Sequence, residues 1–299
     1  RSYSVTGVQT CALPIWDDVS RLGFAGWAMD SSEIDPVNAA HIMEHWLQTL
    51  PLVQQAMSDA DYLRILKAMG ALADCQYRCW DGVFYFNYCH HGVKACGSVG
   101  LAFPQFREAD CWLRLCVDDY FGKLCRPPLL LEDGSTREGT SYQDVNAHLF
   151  MKWLVLCRHH GVAIPEEYSL AVERMMDFAA AMVRPDGSRP IHGEGCTLPT
   201  HEPWMYDRHL VQVGAVLFDR PDLRQAAGAG WDRLHPEWLW TLGDDGHARW
   251  VAMPPAAPAR RAMESVNLAR TKYSALRHGE GLDARSEERR VGKECRSRW

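Results

Sequence analysis

The chain has 299 residues, 47% of them hydrophobic and 23% charged, with a formal net charge of −6 and 11 cysteines. An acidic balance argues against a nucleic-acid-binding protein, whose footprint is a basic stripe. The length can bury a substantial core, and no apolar run reaches the ~18 residues that cross a bilayer, so membrane insertion is not expected.

Both ends stand apart from the rest. Residues 5–15 read VTGVQTCALPI and residues 285–299 read RSEERRVGKECRSRW. Both resemble conceptual translations of one sequencing adapter. Ala12, Leu13, Pro14 and Ile15 can be encoded by gctcttccgatc. Its reverse complement, gatcggaagagc, lies within agatcggaagagcgt, which encodes Arg285, Ser286, Glu287, Glu288 and Arg289. One oligonucleotide read on opposite strands therefore accounts for both ends. Residues 1–15 and 285–299 are set aside as adapter-derived, and the natural frame is expected to continue on both sides. Without Arg1 and the tail's six Lys/Arg and three Glu, the net charge moves from −6 to −10. Cys11 and Cys295 also drop out, leaving nine scattered cysteines, in which neither a zinc ribbon nor a disulfide framework is visible.

Taken in order, Asp35 and Pro36 pair a cap with proline at the first helical position. Ile42, Trp46 and Leu50 then recur at helical spacing, which predicts an amphipathic helix ending at Pro51. Ser58 with Asp61 opens a second helix in the manner of a capping box; its apolar positions Tyr62, Ile65, Leu66, Met69 and Leu72 run on towards Trp80. An aromatic stretch over 82–86 interrupts before Asn87. Helices are expected over about 88–101 and 107–124, the second carrying Trp112, Cys116, Tyr120 and Leu124 on one face.

Residues 133–144, DGSTREGTSYQD, form a polar, Gly-rich loop running into a helix from about Ser141 to His160, which Gly161 ends. A tyrosine at the mouth of that helix, beside Arg137 and Glu138, can exchange protons, and can equally be plain packing. Pro165 with Glu166 and Glu167 starts a further helix to about Val183, in agreement with the macrodipole. A turn at Pro185, Asp186 and Gly187 follows, then a helix over 207–218 and short helical pieces near 221–230 and 236–242. Residues 254–262 read as a linker, and Tyr273 to Arg277 alternate like a first strand. The expected organisation is an all-α domain over 16–253, a linker over 254–262 and the truncated start of a β domain over 263–284. Eight or nine paired helices fit an open solenoid, an (α/α) toroid or an irregular bundle, and no fixed-period repeat favours the solenoid.

Five pieces then align in order: Asn87; GLAFPQFREADCW from Gly100; DGSTREGTSY from Asp133; FAAAMVRPDGSRPIHGEG from Phe178; and VGAVLFDRPDL from Val213. In order and spacing they resemble the N-terminal domain of the heparinase II/III-like polysaccharide lyases. The resemblance implies an incomplete (α/α) toroid followed by an antiparallel β-sheet domain. It also implies β-elimination on uronic-acid polysaccharides such as heparan sulfate or alginate, with no cofactor and an acidic polysaccharide or oligosaccharide as partner. That chemistry needs a group to neutralise the C5 carboxylate, a base for the C5 proton and an acid for the leaving O4.

In the resemblance, Asn87 matches the carboxylate-binding asparagine and Tyr142 the proton-exchanging tyrosine. Arg137 could stabilise the phenolate or grip the substrate carboxylate, and Glu138 orients Arg137 or the loop. His90 and His91 stand one turn from Asn87, although several relatives have histidine directly after the asparagine where Tyr88 stands here. His192 and Glu194 occupy the place of a Gly-Asp pair near the substrate groove. The family's β-domain histidine has no counterpart here, so a complete site is not expected in this chain. The family implies a periplasmic or secreted location, while nine unpatterned cysteines also suit a cytoplasmic one.

Each residue also has a plain reading. Tyr142 could anchor a helix start, Asn87 could cap a helix, and the histidines could be satisfied or solvated. Trp204, Trp231 and Trp238 could stack on sugars or fill a core. His41, Glu44 and His45 spell H-x-x-E-H, a pattern that suits a zinc metallopeptidase, but with no third ligand. A non-catalytic carbohydrate-binding relative is the other alternative.

Overall fold

The computed structural model describes residues 36–79, 87–126, 129–137, 140–183, 207–227, 233–234, 236–254, 265–268, 273–278 and 285–290. Most of these are helical, and the chain divides into two compact units at Tyr120 and Phe121.

The first unit holds α1 (Pro36–Val53), α2 (Asp59–Cys79), α3 (Asn87–Ala102) and α4 (Ala109–Arg114). Ser58 caps α2 as its sequence implied. The Asp61 N–H donates to Ser58 Oγ at 3.2 Å and the hydroxyl donates to the Asp61 carboxylate at 2.7 Å. The buried faces of these helices include Ala39, Ala40, Met43 and Leu50 from α1, Ile65, Met69, Leu72 and Ala73 from α2, and Val93, Ala95, Cys96 and Val99 from α3.

Two expectations for α1 need correction. The helix does not end at Pro51 but passes through it to Val53, followed by a 3-10 turn at Gln54–Ala56. Proline this close to a helix end removes only one backbone bond, so the last turn survives it. Ile42 and Trp46 are half-buried, while Ala39, Ala40 and Met43 are fully enclosed, so the core stripe is rotated from the one the large residues suggest. Small alanines carry little weight in a pattern of large apolar residues, yet they permit the closest helix approach.

Beyond α4 the helix widens into ten π-helical residues, Leu115–Leu124, which crosses from the first unit into the second. The 107–124 helix was expected to be regular. Trp112 and Cys116 are buried on it as anticipated, and the side chains of Tyr120 and Leu124 lie outside the described residues.

The second unit contains α5 (Thr140–His159), α6 (Glu166–Met182), α7 (Asp207–Phe218), α8 (Pro221–Ala227) and α9 (Pro236–Ala252). Gly161 ends α5 at φ +67°: its N–H donates to Arg158 O at 3.2 Å and the Val162 N–H to Cys157 O at 2.8 Å. This is a Schellman closure, and it needs a left-handed residue at that point. The 236–242 piece expected is the first segment of α9, and a second segment follows it. The helix kinks at Gly243 (φ 67°, ψ −169°) and restarts with Asp244 and Asp245, whose charge suits a helix N-terminus.

Strands β1 (Val266–Leu268), β2 (Tyr273–His278) and β3 (Arg285–Arg290) form an antiparallel sheet in the order β1-β2-β3. Leu268 packs against Phe178 and Met182 at the end of α6. Strand β3 falls on residues set aside as adapter-derived; Tyr273 faces Arg290 and His278 faces Arg285. The aromatic stretch at 82–86, the turn at 185–187 and most of the linker at 254–262 lie outside the described residues.

Candidate active site

The polar loop ahead of α5 folds as a miniature hairpin. Leu130 and Thr136 form an antiparallel bridge, the Arg137 N–H donates to Leu129 O at 3.0 Å, and the Leu131 N–H donates to Ser135 O at 2.9 Å. At its tip the Asp133 carboxylate accepts from the Ser135 N–H at 3.2 Å and from its hydroxyl at 2.6 Å, a local turn typical of Asp. Gly134 has φ +79°, and a Cβ built there would stand 1.9 Å from the Arg174 carbonyl oxygen of α6. Backbone conformation and space both require glycine at this position.

Gln143 joins this hairpin to the helix. Its side chain is 1% exposed; Oε1 accepts from the Thr136 N–H at 2.5 Å and Nε2 donates to Gly134 O at 2.8 Å. Tyr142 precedes it on the first turn of α5 and is half-buried, and Arg137, one residue beyond Thr136, is exposed. Asp144 and Asn146 are buried just beyond, so the first two turns of α5 keep an unusual number of polar groups out of water. Buried polar groups at this density are costly unless satisfied, and they occur where a site needs them.

The remaining candidates are placed as follows. Asn87 is the first residue of α3, in the first unit, and its side chain lies outside the described residues, whereas Tyr142 and Arg137 belong to the second. Glu138, His192, Glu194, Trp204 and Trp231 also lie outside the described residues. His90 is fully buried, and its pKa is lowered to about 3 by burial, with the neighbouring His91 adding to the effect. It is a neutral core histidine. His91 is half-buried, its ring 4.8 Å from that of His41. Trp238 is 1% exposed and packs against the His148 ring at 4.9 Å, so it fills the core and offers no stacking face.

In the H-x-x-E-H segment, His41 and His45 are exposed with their rings 6.3 Å apart. Glu44 binds the Lys94 ammonium at 2.6 Å, in a pair whose side chains are 14% and 3% exposed. A carboxylate held on an ammonium is a weakened base. Among the described residues no group of three or more His, Cys, Asp or Glu is placed to hold a metal.

A shallow cavity of about 200 Å³ lies between the hairpin and α6, lined by Arg126, Arg174, Glu132, Glu167, Tyr168 and their apolar neighbours. Arg126 binds Glu167 at 2.5 Å and stands 5.6 Å from the Tyr168 ring centre. Two arginines against two glutamates leave it without the net positive field that would attract a polyanion. Gln143 is the site residue that sequence reasoning missed, since a glutamine on the first turn of a helix carries no local signal of a contact seven residues back.

The family profile described as heparinase II/III N-terminus matches residues 85–208, a span that takes in α3, α4, the hairpin, α5 and α6. Among solved structures, a crystal structure of heparinase III shares the fold with a TM-score of 0.62 at 11% identity, over 92% of this chain and 40% of that one. The heparan sulfate lyase HepC from Pedobacter heparinus does so with a TM-score of 0.57 at 16% identity, over 92% and 39%. The chain thus spans about two-fifths of the length of either protein. No curated protein sequence matches it. The chain is thus similar, over residues 85–208, to the heparinase II/III N-terminus, and it shares the helical fold of these two structures.

Proposed function

We propose that the chain is the helical part of a lyase that cleaves uronic-acid-containing polysaccharides by β-elimination, with Tyr142 exchanging protons at the reacting centre. The observation that carries this reading is the placement of Tyr142: half-buried on the first turn of α5, directly after a hairpin that leads through Arg137 to its helix. A tyrosine with an ordinary pKa of about 10 is a poor base at neutral pH, so a cation near it is the chemical requirement. Arg137 is the candidate for that cation, through phenolate stabilisation or by gripping the substrate carboxylate. Asn87 supplies an amide donor for the charge that develops as the C5 proton leaves. His91, Glu138, His192 and Glu194 are assigned to substrate contact, and His90 is too deeply buried to join them.

The names of the structural neighbours support an acidic substrate, since one of them is a heparan sulfate lyase. The test is made on the natural-length protein with heparan sulfate and with alginate. The expected product is an unsaturated uronate end absorbing in the ultraviolet, and Tyr142→Phe should lower its rate by at least about 10²-fold. Full activity in that variant would remove Tyr142 from the chemistry, and binding without any unsaturated product would identify a carbohydrate-binding relative instead.

A further inference from the structure

We propose that Gln143 is a positioning residue of this site, whose buried amide fixes the hairpin, and with it Arg137, to the helical turn that carries Tyr142. The proposal rests on the lyase reading above for the reaction it serves, but the clamp itself stands on geometry. The amide has one acceptor and one donor pointing into the hairpin, and both are used, by the Thr136 N–H at 2.5 Å and the Gly134 carbonyl at 2.8 Å. Gly134 is held from its other side, since its α-carbon lies too close to the Arg174 carbonyl for any side chain. The tip of the hairpin is therefore wedged between the backbone of α6 and a side chain of α5. Arg137 follows Thr136 directly and Tyr142 precedes Gln143 directly, so the amide ties the backbone next to one of them to the side chain next to the other.

A rigid link of this kind matters more for Arg137 than for the fold. Arg137 is exposed, so its side chain keeps its rotamers and the fold acts on it through the backbone from which it starts. Holding the preceding amide to α5 presets the direction from which the guanidinium approaches the Tyr142 turn, and catalytic groups lose rate steeply when misplaced by about 1 Å. A methionine at 143 would fill the same volume and make neither bond. A glutamate would accept from Thr136 but, when ionised, would set a carboxylate against the Gly134 carbonyl. When neutral it would donate to that carbonyl and reproduce the amide.

Two measurements test this. Amide hydrogen exchange over residues 129–141 of this chain should rise about tenfold in Gln143→Met, with α6 and α7 unchanged. Gln143→Glu should match that rise at about pH 8 and return to the wild-type ratio at about pH 5, where the buried acid is protonated. Equal protection in all three proteins at both pH values would overturn the clamp. In the natural-length protein, Gln143→Met should lower kcat about tenfold or more with KM little changed, and Gln143→Glu should recover towards acid pH. Normal kcat in the Met variant would overturn the positioning role. Absence of product from the unmodified protein would overturn the lyase reading and Gln143's place in that reaction, while the exchange result still decides the clamp.

Discussion

His90 sits fully buried on α3, beside His91, with its pKa lowered to about 3 by burial first and its neighbour second. The unfolded chain takes up a proton on this imidazole at about pH 6.5, well above the folded value, so folding is opposed by protonation. The contribution is therefore fully present above about pH 6.5 and is lost as pH falls towards 3. Unfolding midpoints in urea should hold steady above neutrality and fall through that window, and His90→Gln should flatten the fall. Identical pH slopes in the two proteins would show that His90 does not contribute. The same burial removes His90 from the candidate substrate contacts, which no reading of two adjacent histidines could have decided. Glu44 and Lys94 make a similar point. The spacing of His41, Glu44 and His45 suggests a metal motif, but the ammonium that holds Glu44 comes from another helix, fifty residues on.

At the scale of elements, caps and charges were legible because they act within one turn. Ser58, Gly161, and Glu166 with Glu167 all mark the helix ends that the chain displays. What could not be read were contacts made by one element on another. Arg220 is the clearest case: from the α7–α8 corner it binds Glu173 at 2.7 Å and Asp177 at 2.8 Å on α6, and Asp222 at 2.6 Å. The Asp222 hydrogen bond is the main reason that the Arg220 pKa is raised, and the same bond lowers that of Asp222. These side chains are 23% to 49% exposed, so screening discounts the network. Arg220→Met should cost about 1–2 kcal/mol in urea unfolding, less at high salt, because three carboxylates are left facing one another. A change below about 0.5 kcal/mol would make the network ornamental to stability. The π-helical stretch at Leu115–Leu124 has no marker in its sequence.

For the whole molecule, the helices and the sheet differ in what supports them. The helices bury large aromatics, Trp112 in the first unit and Trp153, Trp238 and Trp250 in the second. The sheet is thinner: β3 is Arg, Ser, Glu, Glu, Arg, Arg, polar on both faces, so it adds backbone bonds to β2 but no apolar burial. Removing residues 285–299 should leave the helical circular dichroism signal and its melting temperature unchanged within about 2 °C. A larger drop would mean that the tail belongs to the fold.

The sequence by itself determined the helical class, most helix boundaries, the candidate tyrosine and the family resemblance, because periodicity, capping and motif order are written in neighbouring residues. Only the tertiary structure decided that His90 is core, that Glu44 serves Lys94, that Gly134 lies against α6 and that Gln143 holds the hairpin. Each of those depends on which surfaces pack together, and that is set by the summed burial of many side chains rather than by any local pattern.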